Sequence, residues 1–119
     1  MTEAPDSVTV APHVLINTIS AAVRAAPGVA RLGIVPRGRG GVLRDHRAGL
    51  ALRTGPAGVS VDCYLVVLPG ANLLETGAAV QKRVATALRE QIGAEVHEVN
   101  VIIQDVGEHT PAGETVAHG

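Results

Sequence analysis

The stretch VSVDCYLVVL, residues 59–68, most constrains the fold. Val59, Val61, Cys63, Leu65 and Val67 make one row, while Ser60, Asp62 and Tyr64 point the other way. A period of two belongs to a strand. From Leu65 to Leu68 the residues are apolar on both faces, which places this strand at the centre of a sheet.

A helix follows directly. In NLLETGAAVQKRVATALREQIG, residues 72–93, Asn72 can cap the N-terminus and Glu75 completes a capping-box pattern. Leu73, Gly77, Val80, Val84, Leu88 and Ile92 form one apolar stripe. Each large member, fully buried, stabilises by about 1.5–3 kcal/mol. Gly77 in the stripe suggests close approach to the sheet. Gly93 stops the helix, and Lys82, Arg83 and Arg89 lie off the stripe, in solvent. A first helix reads from PHVLINTISAAVRAAPG, residues 12–28. Pro12 suits its first turn. Leu15, Ile19, Ala22, Val23 and Ala26 mark its buried face, and Pro27 and Gly28 end it.

Four further segments read as strands. SVTVAP, residues 7–12, is a short first one. GVARLGIVP, residues 28–36, puts Ala30, Leu32 and Ile34 on one face. AGLALRT, residues 48–54, does the same with Ala48, Leu50 and Leu52. In EVHEVNVIIQDV, Val99, Val101 and Ile103 alternate inward. The order β-α-β-β-β-α-β predicts an α+β fold: a mostly antiparallel sheet of four to five strands with two helices packed on one face. One domain covers residues 8–106, between a flexible leader (1–7) and a flexible tail (107–119). The chain has no Phe or Trp and a single Tyr, so the core is built from Val, Leu, Ile and Ala.

Charge is polarised along the chain. From Arg24 to Arg53 there are seven arginines and one acid, whereas from Glu90 onward there are six acids and no Lys or Arg. The run VPRGRGGVLRDHRAG, residues 35–49, lies between two strand patterns and reads as a long hairpin loop. The two charged regions nominate an interaction surface: Arg37, Arg39, Arg44, Arg47 and Arg53 against Glu90, Glu95, Glu98 and Glu108. A contact between the basic side of one copy and the acidic side of the next is heterologous and builds filaments or rings. The alternative is a nucleic-acid- or phosphate-binding module using the Arg-Gly loop 37–47. Against it stand the missing P-loop signature, the single aromatic and the acidic end.

Reaction chemistry finds little foothold. Cys63 lies among apolar residues with Asp62 on the opposite face, the setting of an inert thiol. With one cysteine, no intramolecular disulfide forms. The five histidines lack paired ligand spacing, which argues against a metal site. No catalytic residue, cofactor or small-molecule substrate is expected. The N-terminus has no signal-peptide pattern, and the longest uncharged stretch, residues 7–23, is too short for a membrane span. These features point to a cytoplasmic, non-enzymatic protein.

The second half, PGANLLETGAAVQKRVATALREQIGAEVHEVNVIIQDV, resembles the alkaline shock protein family, envelope-stress proteins of Gram-positive bacteria. The matching features are Gly70 before the helix, Gln81 and Val84 within it, Gly93 at its end, and Val99, Asn100 and Val101 in the closing strand. VTVAPHVLINTISAAVRAAPGVARL is similar to the family's opening strand, helix and PGV turn. The chain departs from the family in VVLPG, where an aromatic and polar run is common, and in its basic Arg-Gly loop. The resemblance implies a scaffold or adaptor that self-associates, docks to a small membrane-anchored protein and so sits at the inner face of the cell membrane.

Overall fold

In a computed structural model describing residues 10–36, the backbone of 43–45, and residues 49–107, Pro12 opens helix α1 (Pro12–Arg24) and Asn72 caps helix α2 (Leu73–Ala87). The Asn72 Oδ1 accepts the Glu75 amide at 2.9 Å, satisfying one of the donors a helix start leaves free. A π-helical turn, Leu88–Ile92, prolongs α2 until Gly93 adopts φ 80° and stops it. Strands β1 (Val29–Leu32), β2 (Leu43–Asp45), β3 (Leu50–Gly55), β4 (Gly58–Val67) and β5 (Val96–Val106) form one sheet.

Strand β4 is central, as its two apolar faces require. Along one edge it pairs antiparallel with β3, from Gly55↔Gly58 to Leu50↔Cys63, and then with β1, where Leu32 meets Leu65 and Val29 meets Val67. Along the other edge it pairs parallel with β5, from Val59↔Val96 to Val67↔Val106. A parallel neighbour needs a crossover, and α2 supplies it. The helices share one face with the inner row. Ile16, Ile19, Val23, Val80, Val84 and Leu88 cluster with Leu50, Leu52, Val61, Cys63 and Leu65, and Val99 and Val101 pack against them.

Several expectations change. Strands β1 and β3 do not pair with each other across a long hairpin. They lie end to end on β4, and the Arg-rich run between them contains a third strand, β2, paired with β3 through Leu43↔Leu52 and Asp45↔Leu50. Of the expected first strand, residues 7–9 lie outside the described residues, Val10 and Ala11 are in no strand and Pro12 already belongs to α1; the leader and the tail from residue 108 also lie outside the described residues. Helix α1 ends at Arg24, before Pro27. Leu73 is exposed rather than part of the buried stripe, and Thr76 is buried in its place. A Cβ on Gly77 would meet only Val101 Cγ1 at 3.8 Å, an ordinary contact, so no close approach demands that glycine. Ile34, expected to share a strand face with Ala30 and Leu32, lies beyond the end of β1 at Leu32 and is 61% exposed.

Candidate functional site

The sheet face opposite the helices carries a polar ladder. Register places Ala51 opposite Asp62 and Asp62 opposite Asn100, with Arg53 and Glu98 both opposite Ser60. Arg53 grips Asp62 with both guanidinium ends, at 2.9 and 3.2 Å. Asn100 Nδ2 donates to Asp62 Oδ1 at 3.0 Å and to Glu98 Oε2 at 3.3 Å. Glu98 lies 3.7 Å from Arg53. The Asp62 side chain is 16% exposed, so its bonds are partly shielded from water. The hydrogen bond to Asp62 is the largest influence raising the Arg53 pKa.

Beside the ladder, the residues before and after the Arg-rich segment meet at one residue of β4. Gly33 donates its amide to the Tyr64 carbonyl at 2.6 Å, and the Tyr64 amide donates to the Gly49 carbonyl at 2.9 Å. Between those contacts Val35 folds onto the open face and is buried against Ala51 and Tyr64. Gln104 fixes the start of the excursion by bonding the backbone of Ile34. Val35 therefore gives Tyr64 an apolar cover.

Of the nominated charges, the described residues bring together Arg53 and Glu98, and they meet within one chain. Glu90 is exposed on the π-helical turn, beside the shallow groove between the helices that Ala22, Ala25, Lys82 and Arg83 also line. Glu95 is exposed just before β5. The Arg44 backbone lies in β2, opposite Ala51. Arg37, Arg39, Arg47 and Glu108 lie outside the described residues. Sequence reasoning missed Asp62, Asn100 and Gln104 as organising groups. The available signal was a polar residue inside a strand pattern, Asp62 between Val61 and Cys63 and Asn100 between Val99 and Val101, a placement that calls for a partner.

Cys63 is fully buried, and desolvation pushes its thiol up to about 12, with the Asp62 charge adding to the effect. A thiol held this way is protonated at neutral pH and is a poor nucleophile. Among the described residues, no group of three or more His, Cys, Asp or Glu is placed to hold a metal ion. No helix among them is long and apolar enough to cross a membrane.

The geometry defines a two-layer α+β domain whose organised polar groups lie on an open sheet surface and whose thiol is sealed in the core. The chain belongs to the alkaline shock protein family, which has a cell envelope-related function, and matches it over residues 1–108. It is also 31% identical over 62 residues to an uncharacterized protein of Streptococcus pyogenes, the match covering 52% of this chain and 51% of that protein. The match thus spans about half of that relative's length. Among solved structures, a zinc form of a MamM CTD variant is similar at TM-score 0.47 and 18% identity, covering 78% of this chain and 84% of that one. A nickel form of another variant gives TM-score 0.46 and 20% identity, covering 78% and 96%.

Proposed function

We propose that this chain is a non-enzymatic scaffold or adaptor of the cell envelope that self-associates and docks to a small membrane-anchored protein. The observation that carries the reading is the family match over residues 1–108. The sealed Cys63 and the surface setting of the Arg53–Asp62 ladder support binding over chemistry. With no helix among the described residues able to cross a membrane, a location at the membrane comes from the partner.

Membrane flotation tests the docking. Purified chain should float with envelope membranes stripped of peripheral proteins by high salt. It should not float with the same membranes after protease treatment, nor with protein-free vesicles of the same lipids. Equal binding to protein-free vesicles overturns the adaptor role. Light scattering at low and high salt tests self-association. Arg53 and Glu98 are engaged inside one copy, so an electrostatic contact between copies falls to Arg37, Arg39, Arg44 and Arg47 against Glu90, Glu95 and Glu108. The double variant R44E/R47E should abolish that assembly, and unchanged assembly removes the electrostatic contact.

A further inference from the structure

We infer that the outer edge of β5 is a self-recognition surface, where two copies of this chain pair their β5 strands antiparallel about a two-fold axis at Val101. The inference rests on the self-association proposed above and names an interface for it. Among the described residues, β5 is bonded along its length to β4 alone. It is an 11-residue strand containing no Lys, Arg or Pro, the residues that commonly blunt an exposed edge. Two register shifts flank an uninterrupted stretch from Glu98 to Ile103. Gln81 Nε2 donates to the Val99 carbonyl at 3.1 Å, and a carbonyl oxygen keeps a second lone pair for a strand amide.

The pattern along β5 is self-complementary. Val96, Val99, Val101, Ile103 and Val106 pair with the inner row of β4, namely Val59, Val61, Cys63, Leu65 and Val67, so they share the helix side of the sheet. These five positions are symmetric about Val101. An antiparallel pairing centred there sets Val101 opposite its copy, Val99 opposite Ile103 and Val96 opposite Val106. It also sets Asn100 opposite Ile102, Glu98 opposite Gln104 and His97 opposite Asp105. Apolar residues meet across the helix side, and no like charges face each other, which is the arrangement cross-strand pairs favour.

Neighbouring registers lose this. An axis at Asn100 sets Glu95 opposite Asp105 and Glu98 opposite Ile102. An axis at Ile102 sets Val99 opposite Asp105 and Glu98 opposite Val106. Ile102 and Val106, 36% and 48% exposed, would be covered in part. This contact is two-fold and closes on itself, unlike the head-to-tail contact of the charged regions, so a chain using both would alternate them along an assembly.

The test is sedimentation equilibrium of the full chain, with H97E and H97E/D105K beside the wild type, all checked for folding by circular dichroism. His97 is exposed, so its replacement leaves the core alone. The wild type should associate. H97E sets like charges opposite each other twice per dimer and should weaken association by about tenfold. H97E/D105K restores opposite charges and should recover most of the loss. Amide exchange at Val99, Val101 and Ile103 should slow as wild-type concentration rises. Assembly indifferent to H97E, or weakening that D105K does not rescue, overturns the β5 interface and leaves self-association standing. A monomer at every concentration overturns both, and a monomer with β5 already protected shows that the edge is filled from within the chain.

Discussion

Gln104 holds both backbone groups of Ile34. Its Nε2 donates to the Ile34 carbonyl at 2.7 Å, and its Oε1 accepts the Ile34 amide at 2.9 Å. One side chain thus replaces a missing strand neighbour where β1 has ended, and it holds the excursion on which Val35 covers Tyr64. Gln104→Leu keeps the bulk and removes both bonds. It should cost about 1–2 kcal/mol, and each kcal/mol should lower the melting temperature by about 4–8 °C. The Ile34 amide should exchange faster than in the wild type. An unchanged melting temperature and an unchanged exchange rate would show that Val35 alone seats the excursion.

Gly49 should tolerate no side chain. It adopts φ 66°, and a Cβ there would lie 2.7 Å from the Gly33 carbonyl oxygen and 2.8 Å from that of Tyr64. Both obstacles are backbone, so Gly49→Ala should cost more than the roughly 1–2 kcal/mol of the left-handed conformation alone.

Gly77 makes the opposite case. It lies inside α2 with room for a methyl group against Val101, so Gly77→Ala should stabilise the chain by about 0.5–1 kcal/mol. Denaturant titration gives the sign, and a loss of stability would restore the close approach that the apolar stripe suggested.

Asp62 and Glu98 both face Arg53, yet their removal should differ. Asp62 is more shielded and receives two bonds from Arg53 and one from Asn100. Asp62→Ala should cost about 1.5–3 kcal/mol. Glu98, 3.7 Å away and about half exposed, should cost less than about 1 kcal/mol. Equal losses would mean that the ladder acts as one unit, with Asn100 relaying Glu98 to Asp62.

Cys63 sets a limit at high pH. Its thiol titrates at about 12 in the folded chain against 9.0 as an ordinary thiol. A raised pKa contributes stability below the unfolded value and loses it as pH rises toward the folded one. Stability should therefore fall above pH 9.0, by about 1.4 kcal/mol per pH unit from this group. Cys63→Ala should flatten that slope whatever it does to stability at neutral pH. A thiol reagent should label the native wild type only at the rate of unfolding.

Much of the architecture is legible in particular residues. The double apolar face at Leu65–Leu68 announces a central strand. Asn72 and Gly93 bound a helix that does end at Gly93, because capping and left-handed turns are local events set by one or two side chains. Val80, Val84 and Leu88 face the core because a period of 3.6 leaves them no other common direction. The candidate surface was less legible. Arg53 and Glu98 could be nominated by charge, and Asp62 inside a strand pattern called for a partner, but which residues meet it is set by strands far apart in the chain.

The sequence by itself determined both helices, the central strand and most of the inward-pointing apolar row, since these follow from periodicity and caps within a few residues. Only the tertiary structure decided that β1 and β3 share one edge of β4, that β5 runs parallel on the other, and that Gly33, Tyr64 and Gly49 meet at the root of the arginine-rich excursion. Those choices depend on backbone hydrogen bonds between residues far apart in the chain. Every residue offers the same amide and carbonyl, so strand order and register are settled by which whole arrangement buries the apolar row and satisfies the polar one.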